Sequence, residues 1–206
     1  MGLDMSIIRR RKVGRGRPKN YENETYLYRE YYKDEELLGH DIKVDNLYEC
    51  DGNIRREATS TYDVYEVAYW RKANQVHKWF VDNVQGHVDD CGRYRLTEKN
   101  IKDLLDICQK ILNTVVMKKG KINNGYSYKK NIFGKMVKKY DKVPGRYIKN
   151  PRICKKLLPA CKGFFFGSTE YDEYYYDQIL YTRDKLREIL DTYDLDVEEL
   201  YYDSSW

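Results

Sequence analysis

Charge is so strongly segregated along this 206-residue chain that it decides which segments can build a core. Residues 118–162 hold fifteen basic residues, a single acid (Asp141) and few aliphatic side chains. Such a segment buries too little apolar surface to order itself, so the core must come from the rest of the chain. We therefore predict one domain over residues 1–206, with residues 118–162 as a basic insertion of loop or hairpin character.

Three stretches with apolar residues spaced three and four apart predict long helices, over residues 64–85, 98–116 and 169–193. The residues that precede them are good N-caps: Asp63, Thr97, and Ser168 or Thr169. The acidic tail from Leu195 to Trp206 is predicted to add a short helix.

Two short segments predict strands. Leu3, Met5 and Ile7 alternate with polar residues, and residues 164–166 form an apolar run between two glycines. The fold class is therefore α+β (mixed), with three long helices packed on a small sheet that contains residues 3–8 and 164–166.

The sequence carries no export or membrane signal. It has no run of eighteen apolar residues, and Arg9 follows the N-terminus too soon for a signal peptide. The five cysteines are odd in number and irregularly spaced, which predicts free thiols in a reducing compartment. We expect an intracellular protein with no membrane partner.

A candidate ligand site lies around Trp70. On the predicted first helix Trp70, Asn74 and His77 follow at i, i+4 and i+7, and Arg71 and Lys78 flank them. The tryptophan suits stacking on a base, and the cations suit a phosphate. The alternative is that Trp70 and His77 belong to the core and the two cations are solvated.

A second part of this site is predicted at Ser168 and Thr169. At a helix N-terminus, free backbone N–H groups and hydroxyls bind anions. The alternative is ordinary helix capping.

Basic segments predict nucleic-acid contacts. Residues 15–19 match the core of an AT-hook, an extended Arg-Gly-Arg-Pro that lies in the A·T minor groove, and the binding residues there are Arg15, Arg17 and Lys19. In the insertion, the predicted phosphate contacts are Lys129, Lys130, Lys138 and Lys139. Tyr126, Tyr128 and Tyr140 lie among these lysines and suit stacking on single strands. The alternative is that the basic segments pair with the acidic residues 170–199 of the same or a neighbouring molecule.

Signals for catalysis and metal binding are weak. The chain has no Walker loop, no Gly-x-Gly-x-x-Gly, no Cys-x-x-Cys and no His-Glu-x-x-His pattern. Cys91 near His87 is the only candidate nucleophile and base, and closeness in sequence is poor evidence for such a pair. We predict no catalytic residue, no metal and no cofactor.

Three segments together resemble a known family. They are GLDM at residues 2–5, YWRKANQVHKWF at residues 69–80, and GFFFGS at residues 163–168 followed by YDEYY at residues 171–175; the loop at residues 89–91 also fits. The chain resembles a family of small uncharacterised proteins encoded by tailed bacteriophages. The resemblance implies the cytoplasm of an infected bacterium as the setting, and it implies no activity.

The leading functional hypothesis is a phage-encoded, non-catalytic binding protein that inhibits a host defence system. Its partner would be a host defence protein, blocked as by an anti-CRISPR protein, or a nucleotide signal that it sequesters. The alternatives are a DNA-binding accessory or regulatory protein, with DNA or RNA as partner, and a small enzyme of nucleotide metabolism. The oligomeric state is left open.

Overall fold

The computed structural model describes residues 2–14, 37–50, 53–163, 166–196 and 198–206. Its strands are β1 (Asp4–Gly14), β2 (Leu37–Cys50), β3 (Asn53–Arg71), β4 (Tyr94–Leu96), β5 (Met117–Lys130), β6 (Met136–Ile148) and β7 (Glu199–Ser205). Its helices are α1 (Asn74–Asn83), α2 (Glu98–Thr114), α3 (Arg152–Leu157) and α4 (Glu173–Thr192). The predicted mixed α+β class is confirmed. Within the described part of the chain, no helix is long and apolar enough to cross a bilayer.

β1 lies at the centre of a five-stranded antiparallel sheet with the order β2-β3-β1-β7-β4. Leu3, Met5 and Ile7 are fully buried, whereas Asp4 and Ser6 between them are half-buried. This alternation places one face of the strand on the helices and the other towards solvent. The strand predicted over residues 3–8 is therefore confirmed.

The acidic tail forms β7, not the predicted short helix. Leu200, Tyr202 and Ser204 are buried and alternate with half-buried residues, and Ile7 of β1 is the register partner of Tyr202. Aromatic residues with period-two burial favour a strand once a partner edge is present. That edge is supplied by β1, which is almost two hundred residues away in sequence.

The first predicted helix is wrong over almost half of its length, residues 64–73. β3 continues to Arg71, and α1 begins at Asn74. Buried Ala68 and Trp70 flank exposed Tyr69, which is strand periodicity, and Lys72 adopts a φ of 59° that ends the strand. Trp70 is therefore on a strand and does not share a helical stripe with Asn74.

α2 was predicted correctly, with Thr97 as its N-cap in a capping box with Asn100. α4 begins later than predicted, because the side chain of Asp172 caps it by accepting from the N–H groups of Tyr174 and Tyr175. Ser168 and Thr169 lie before that cap, in a segment without regular secondary structure. The described residues thus form two long helices, α2 and α4, and two short ones, in place of three long helices.

The core lies between the five-stranded sheet and the helices. α2 packs on α4 through buried side chains that include Ile101, Leu104, Ile179 and Leu186. Phe166 is buried but belongs to no strand, and residues 164 and 165 of the predicted second strand lie outside the described residues. The described cysteines Cys91, Cys108, Cys154 and Cys161 are free thiols, as predicted.

The predicted basic insertion contains a long antiparallel hairpin, β5–β6, followed by α3. Its base is held by buried Ile122 and Ile148 and by a salt bridge of 3.6 Å between Arg146 and Glu173. At its tip, the side chain of Asn131 accepts hydrogen bonds from two backbone N–H groups in the turn. We call this element the basic hairpin (residues 117–148).

Candidate nucleic-acid interface

The aromatic and imidazole members of the predicted ligand site are buried. The Trp70 indole N–H donates to Oγ1 of Thr182 at 2.9 Å. The ring of His77, 1% exposed, has Nδ1 2.7 Å from the hydroxyl of Tyr202 and Nε2 3.0 Å from a carboxylate oxygen of Asp89. These polar atoms are thus satisfied by other side chains of the protein.

Asn74 links the two predicted parts of the ligand site. Its Nδ2 donates to the carbonyl oxygens of Phe166 at 3.0 Å and Ser168 at 2.8 Å. Its Oδ1 accepts from the backbone N–H of Cys161 at 3.0 Å. The amide of Asn74 therefore anchors the segment around residues 166–168 against the start of α1.

The remaining members of that site lie nearer the surface. Arg71 is exposed, with its nearest carboxylate, that of Asp4, at 3.9 Å, and Lys78 forms a salt bridge of 2.7 Å within α1. The hydroxyl of Ser168 accepts from the N–H of Glu170 at 3.1 Å, and Thr169 is half-buried. The structure brings Asn74 and Ser168 together, while Trp70 and His77 pack into the core. Ligand binding by this set stays a prediction.

Burial also sets the chemistry of several other groups. It raises the pKa of the Cys108 thiol to about 12 and the pKa of the Tyr202 phenol well above its ordinary value. Such a thiol is protonated and unreactive near neutral pH. In the described part of the chain, no three of His, Cys, Asp and Glu converge into a set that could hold a metal ion.

The basic hairpin carries three exposed tyrosines on one face. Tyr126 and Tyr128 follow at i and i+2 on β5, and their register partners on β6 are Tyr140 and Lys138. The ring of Tyr126 lies 5.6 Å from that of Tyr128 and 6.4 Å from that of Tyr140, centroid to centroid. The Lys138 ammonium lies 3.7 Å from the centroid of the Tyr126 ring. We call these four residues the tyrosine face.

The tyrosine face is open to solvent. Its tyrosine side chains are 51%, 59% and 49% exposed, in the order Tyr126, Tyr128 and Tyr140. Aromatic side chains of a monomer usually bury most of their surface, so a contiguous exposed group indicates an interaction site. A flat aromatic cluster beside a cation suits a partner with π-systems and negative charge.

The basic hairpin is also strongly cationic. It contains nine lysines, one arginine and one acid. Among the described residues, those nine lysines form no salt bridge, and only Arg146 pairs with a carboxylate. Their charge is thus available to an anionic partner.

The four predicted lysine contacts divide between the two faces of the hairpin. The register places Lys130 and Lys138 on the side of the hairpin that carries the tyrosine face, and Lys129 and Lys139 on the opposite side. The predicted AT-hook residues, Arg15, Arg17 and Lys19, lie outside the described residues.

A cavity of about 390 Å³ lies where the base of the basic hairpin meets the N-terminus of α4. It is lined by lysines from β5, β6 and α3, by two carboxylate residues and by two tyrosines, among other residues; these are Lys121, Lys142, Lys155, Glu170, Asp172, Tyr147 and Tyr171. Sequence reasoning missed this cavity. Its three lysines, Lys121, Lys142 and Lys155, are far apart in sequence, so no local pattern indicated that they form one site.

The composition of the basic segment predicted the tyrosines of the tyrosine face as a binding site. Tyrosines interleaved with lysines favoured stacking, but the spacing of 126, 128 and 140 does not reveal which strand residues face each other. A bulge between Asn123 and Tyr126 adds a residue to β5 and sets the final pairing.

Comparison with known proteins adds nothing to this geometry: no family model, no curated protein and no solved structure matches the chain.

Proposed function

We propose that this protein binds single-stranded nucleic acid on the tyrosine face of the basic hairpin. The observation that carries the proposal is the exposed, mutually contacting group of Tyr126, Tyr128 and Tyr140 with Lys138 over one ring. Unpaired bases expose π-faces that stack on such rings, whereas bases inside a duplex are already stacked. This favours a single strand over a duplex.

Electrostatics supports the same partner. Lysines on both faces of the hairpin surround a bound strand with positive charge and release counterions from its phosphates. Since the contacts reach phosphates and ring faces, not base edges, we expect little sequence preference. The protein would therefore act as an accessory or regulatory nucleic-acid-binding protein.

The other functional hypotheses have less support from the described residues. The polar atoms of Trp70, Asn74 and His77 are occupied by protein partners, which weakens the case for a nucleotide held by that set. The role in blocking a host defence rests on the resemblance to phage proteins and stays a prediction. No interaction described for Cys91 joins it to His87, so the structure adds no support to the enzyme hypothesis.

The test is a fluorescence-anisotropy titration of a labelled oligo-dT with the wild-type protein and with Tyr126→Leu. Loss of one base stack costs about 1–3 kcal/mol, so we expect the substitution to weaken binding by about 5- to 150-fold. Tyr174→Leu is the matched control, because Tyr174 is similarly exposed but lies on α4. Equal affinities for both variants would contradict the proposal.

A second pair of variants tests the charge contribution. Lys138→Gln should lower the slope of log K against log salt by about 0.7, the value for one phosphate contact on a single strand. Lys110→Gln, an exposed lysine on α2, should leave the slope unchanged. A wild-type affinity that does not fall with salt would exclude phosphate contacts altogether.

A further inference from the structure

We propose that the cavity at the base of the basic hairpin binds a nucleoside phosphate. The proposal deepens the single-strand function, because the cavity adjoins the tyrosine face, but it can be tested apart from it. The ligand has two possible sources with the same chemistry: the terminal nucleotide of a bound strand, or a free mononucleotide.

Three cations converge on this cavity from separate elements. Lys121 comes from β5, Lys142 from β6 and Lys155 from α3. Among the described residues, none of the three forms a salt bridge. Like charges that line one concave surface raise the local concentration of anions there. The phosphate of the ligand would therefore lie among these lysines.

Two carboxylates that line the cavity, those of Glu170 and Asp172, restrict the kinds of ligand that it can bind. Glu170 accepts a hydrogen bond from the side chain of Asn123 at 3.3 Å and keeps further acceptor capacity. Asp172 is 3% exposed, and its Oδ2 has no hydrogen-bond partner among the described residues. A bare inorganic anion gains nothing from carboxylates. A nucleotide also carries amino or imino N–H groups on its base, and these can donate to such acceptors.

Aromatic rings and volume fit the same ligand. Tyr147 and Tyr171 both line the cavity, and Tyr147 is 38% exposed. The Lys155 ammonium lies 5.8 Å from the centroid of the Tyr171 ring, so a cation and a π-face lie side by side. The volume of about 390 Å³ is in the usual range of small-molecule sites, roughly 300–1,000 Å³.

The cavity and the tyrosine face are joined by β6. The extra residue of the bulge lies on β5, so β6 alternates without interruption from Lys138 through Tyr140 to Lys142. Every second residue of a strand shares a face, which puts Lys142 of the cavity next to Tyr140 of the tyrosine face. A strand stacked on Tyr140 therefore has its next phosphate near the cavity.

The experiment is isothermal titration calorimetry with 5′-AMP, 5′-GMP and inorganic phosphate. We expect one nucleotide site per chain and weaker binding of inorganic phosphate. The double variant Lys121→Gln/Lys142→Gln should weaken nucleotide binding at least about tenfold, since two charge-assisted contacts are lost. Lys129→Gln/Lys139→Gln, which changes the same number of lysines on the same hairpin, should leave it unchanged.

Oligonucleotides with and without a 5′-phosphate separate the two sources. If the 5′-phosphorylated oligonucleotide binds more tightly, and the Lys121→Gln/Lys142→Gln variant loses this difference, the cavity binds the end of a strand. If the two oligonucleotides bind equally, the cavity binds the free nucleotide. The Tyr126→Leu variant should lose oligonucleotide affinity and keep 5′-AMP affinity, so failure of the tyrosine face is distinguishable from failure of the cavity. If wild-type protein binds neither mononucleotide at millimolar concentration, or binds phosphate as tightly as either, the proposal is overturned.

Discussion

At the scale of single residues, buried polar side chains of α1 do most to connect distant parts of the chain. Asn74 is fully buried and holds three backbone groups of the segment between α3 and α4. His77 bridges Tyr202 of β7 and Asp89 of the loop after α1. Each of these side chains joins elements that are not neighbours in sequence, so both act as anchors of the fold.

Asn74→Ala should lower the free energy of unfolding by about 2–4 kcal/mol, because it leaves buried carbonyl and N–H groups without partners. Urea denaturation measures this. The matched control is Asn83→Ala on the same helix, an exposed position where we expect a change within about 0.5 kcal/mol. Similar small effects of both substitutions would show that the hydrogen bonds of Asn74 contribute little.

The sequence pattern singled out Asn74 and His77, but it did not predict their roles. A helical spacing of three between Asn74 and His77 correctly placed them on one face of α1. Apart from Asp89, their partners come from segments about ninety to 125 residues further along the chain, and no local pattern encodes such contacts. A polar stripe therefore looked like a ligand site, although its polar atoms are bound by the protein itself.

At the scale of elements, prediction succeeded where the determinants are local. α2 carries its own cap and its own apolar stripe, and both ends were predicted within two residues. β3 and β7 depend on pairing with β1, and tyrosine-rich sequence fits either a strand or a helix until that pairing exists. The start of α4 was misplaced because Asp172 is a competing cap.

The basic hairpin should be the first part of residues 117–206 that trypsin cuts, at the lysines between residues 129 and 139. Its distal half is exposed on both faces and buries few apolar groups, so local opening costs little. The cleavage sites can be read by mass spectrometry after limited digestion. Cuts that appear earlier at the basic residues of α4, such as Arg183 or Lys185, would contradict this expectation.

At the scale of the whole molecule, the core keeps thiols and phenols protonated. Burial raises the pKa of Cys108 to about 12, and it also raises the pKa values of Tyr175 and Tyr202. In the unfolded chain these groups have ordinary values of 9.0 for the thiol and 10.0 for the phenols, so they lose their protons first there. Alkaline pH therefore favours the unfolded state.

These buried groups should leave the free energy of unfolding unchanged between about pH 7 and pH 8 and should lower it progressively from about pH 9 to about pH 12, where the unfolded chain releases protons that the folded chain keeps. Urea denaturation over this range measures the free energy of unfolding. Cys108→Ala should reduce the decline between about pH 9 and pH 10, since the thiol titrates first in the unfolded state. A free energy of unfolding that stays flat up to about pH 11 would contradict the assigned burial of these groups.

Charge segregation also belongs to the whole molecule. The sequence left open whether the basic insertion pairs with the acidic C-terminal residues, and the described contacts include one such ion pair, Arg146 with Glu173. The distal lysines extend beyond it and have no acidic partner in the described part of the chain. Most of the hairpin charge thus remains available to an external anion, which is the basis of the proposed function.

The most direct test of that function is ultraviolet cross-linking of oligo-dT to the wild-type protein at low salt, followed by peptide mass spectrometry. The account predicts cross-links on peptides that contain Tyr126, Tyr128 or Tyr140, and it predicts that moderate salt reduces their yield. Cross-links confined to peptides outside residues 117–148, or none at low salt, would contradict the claim that the basic hairpin binds single-stranded nucleic acid.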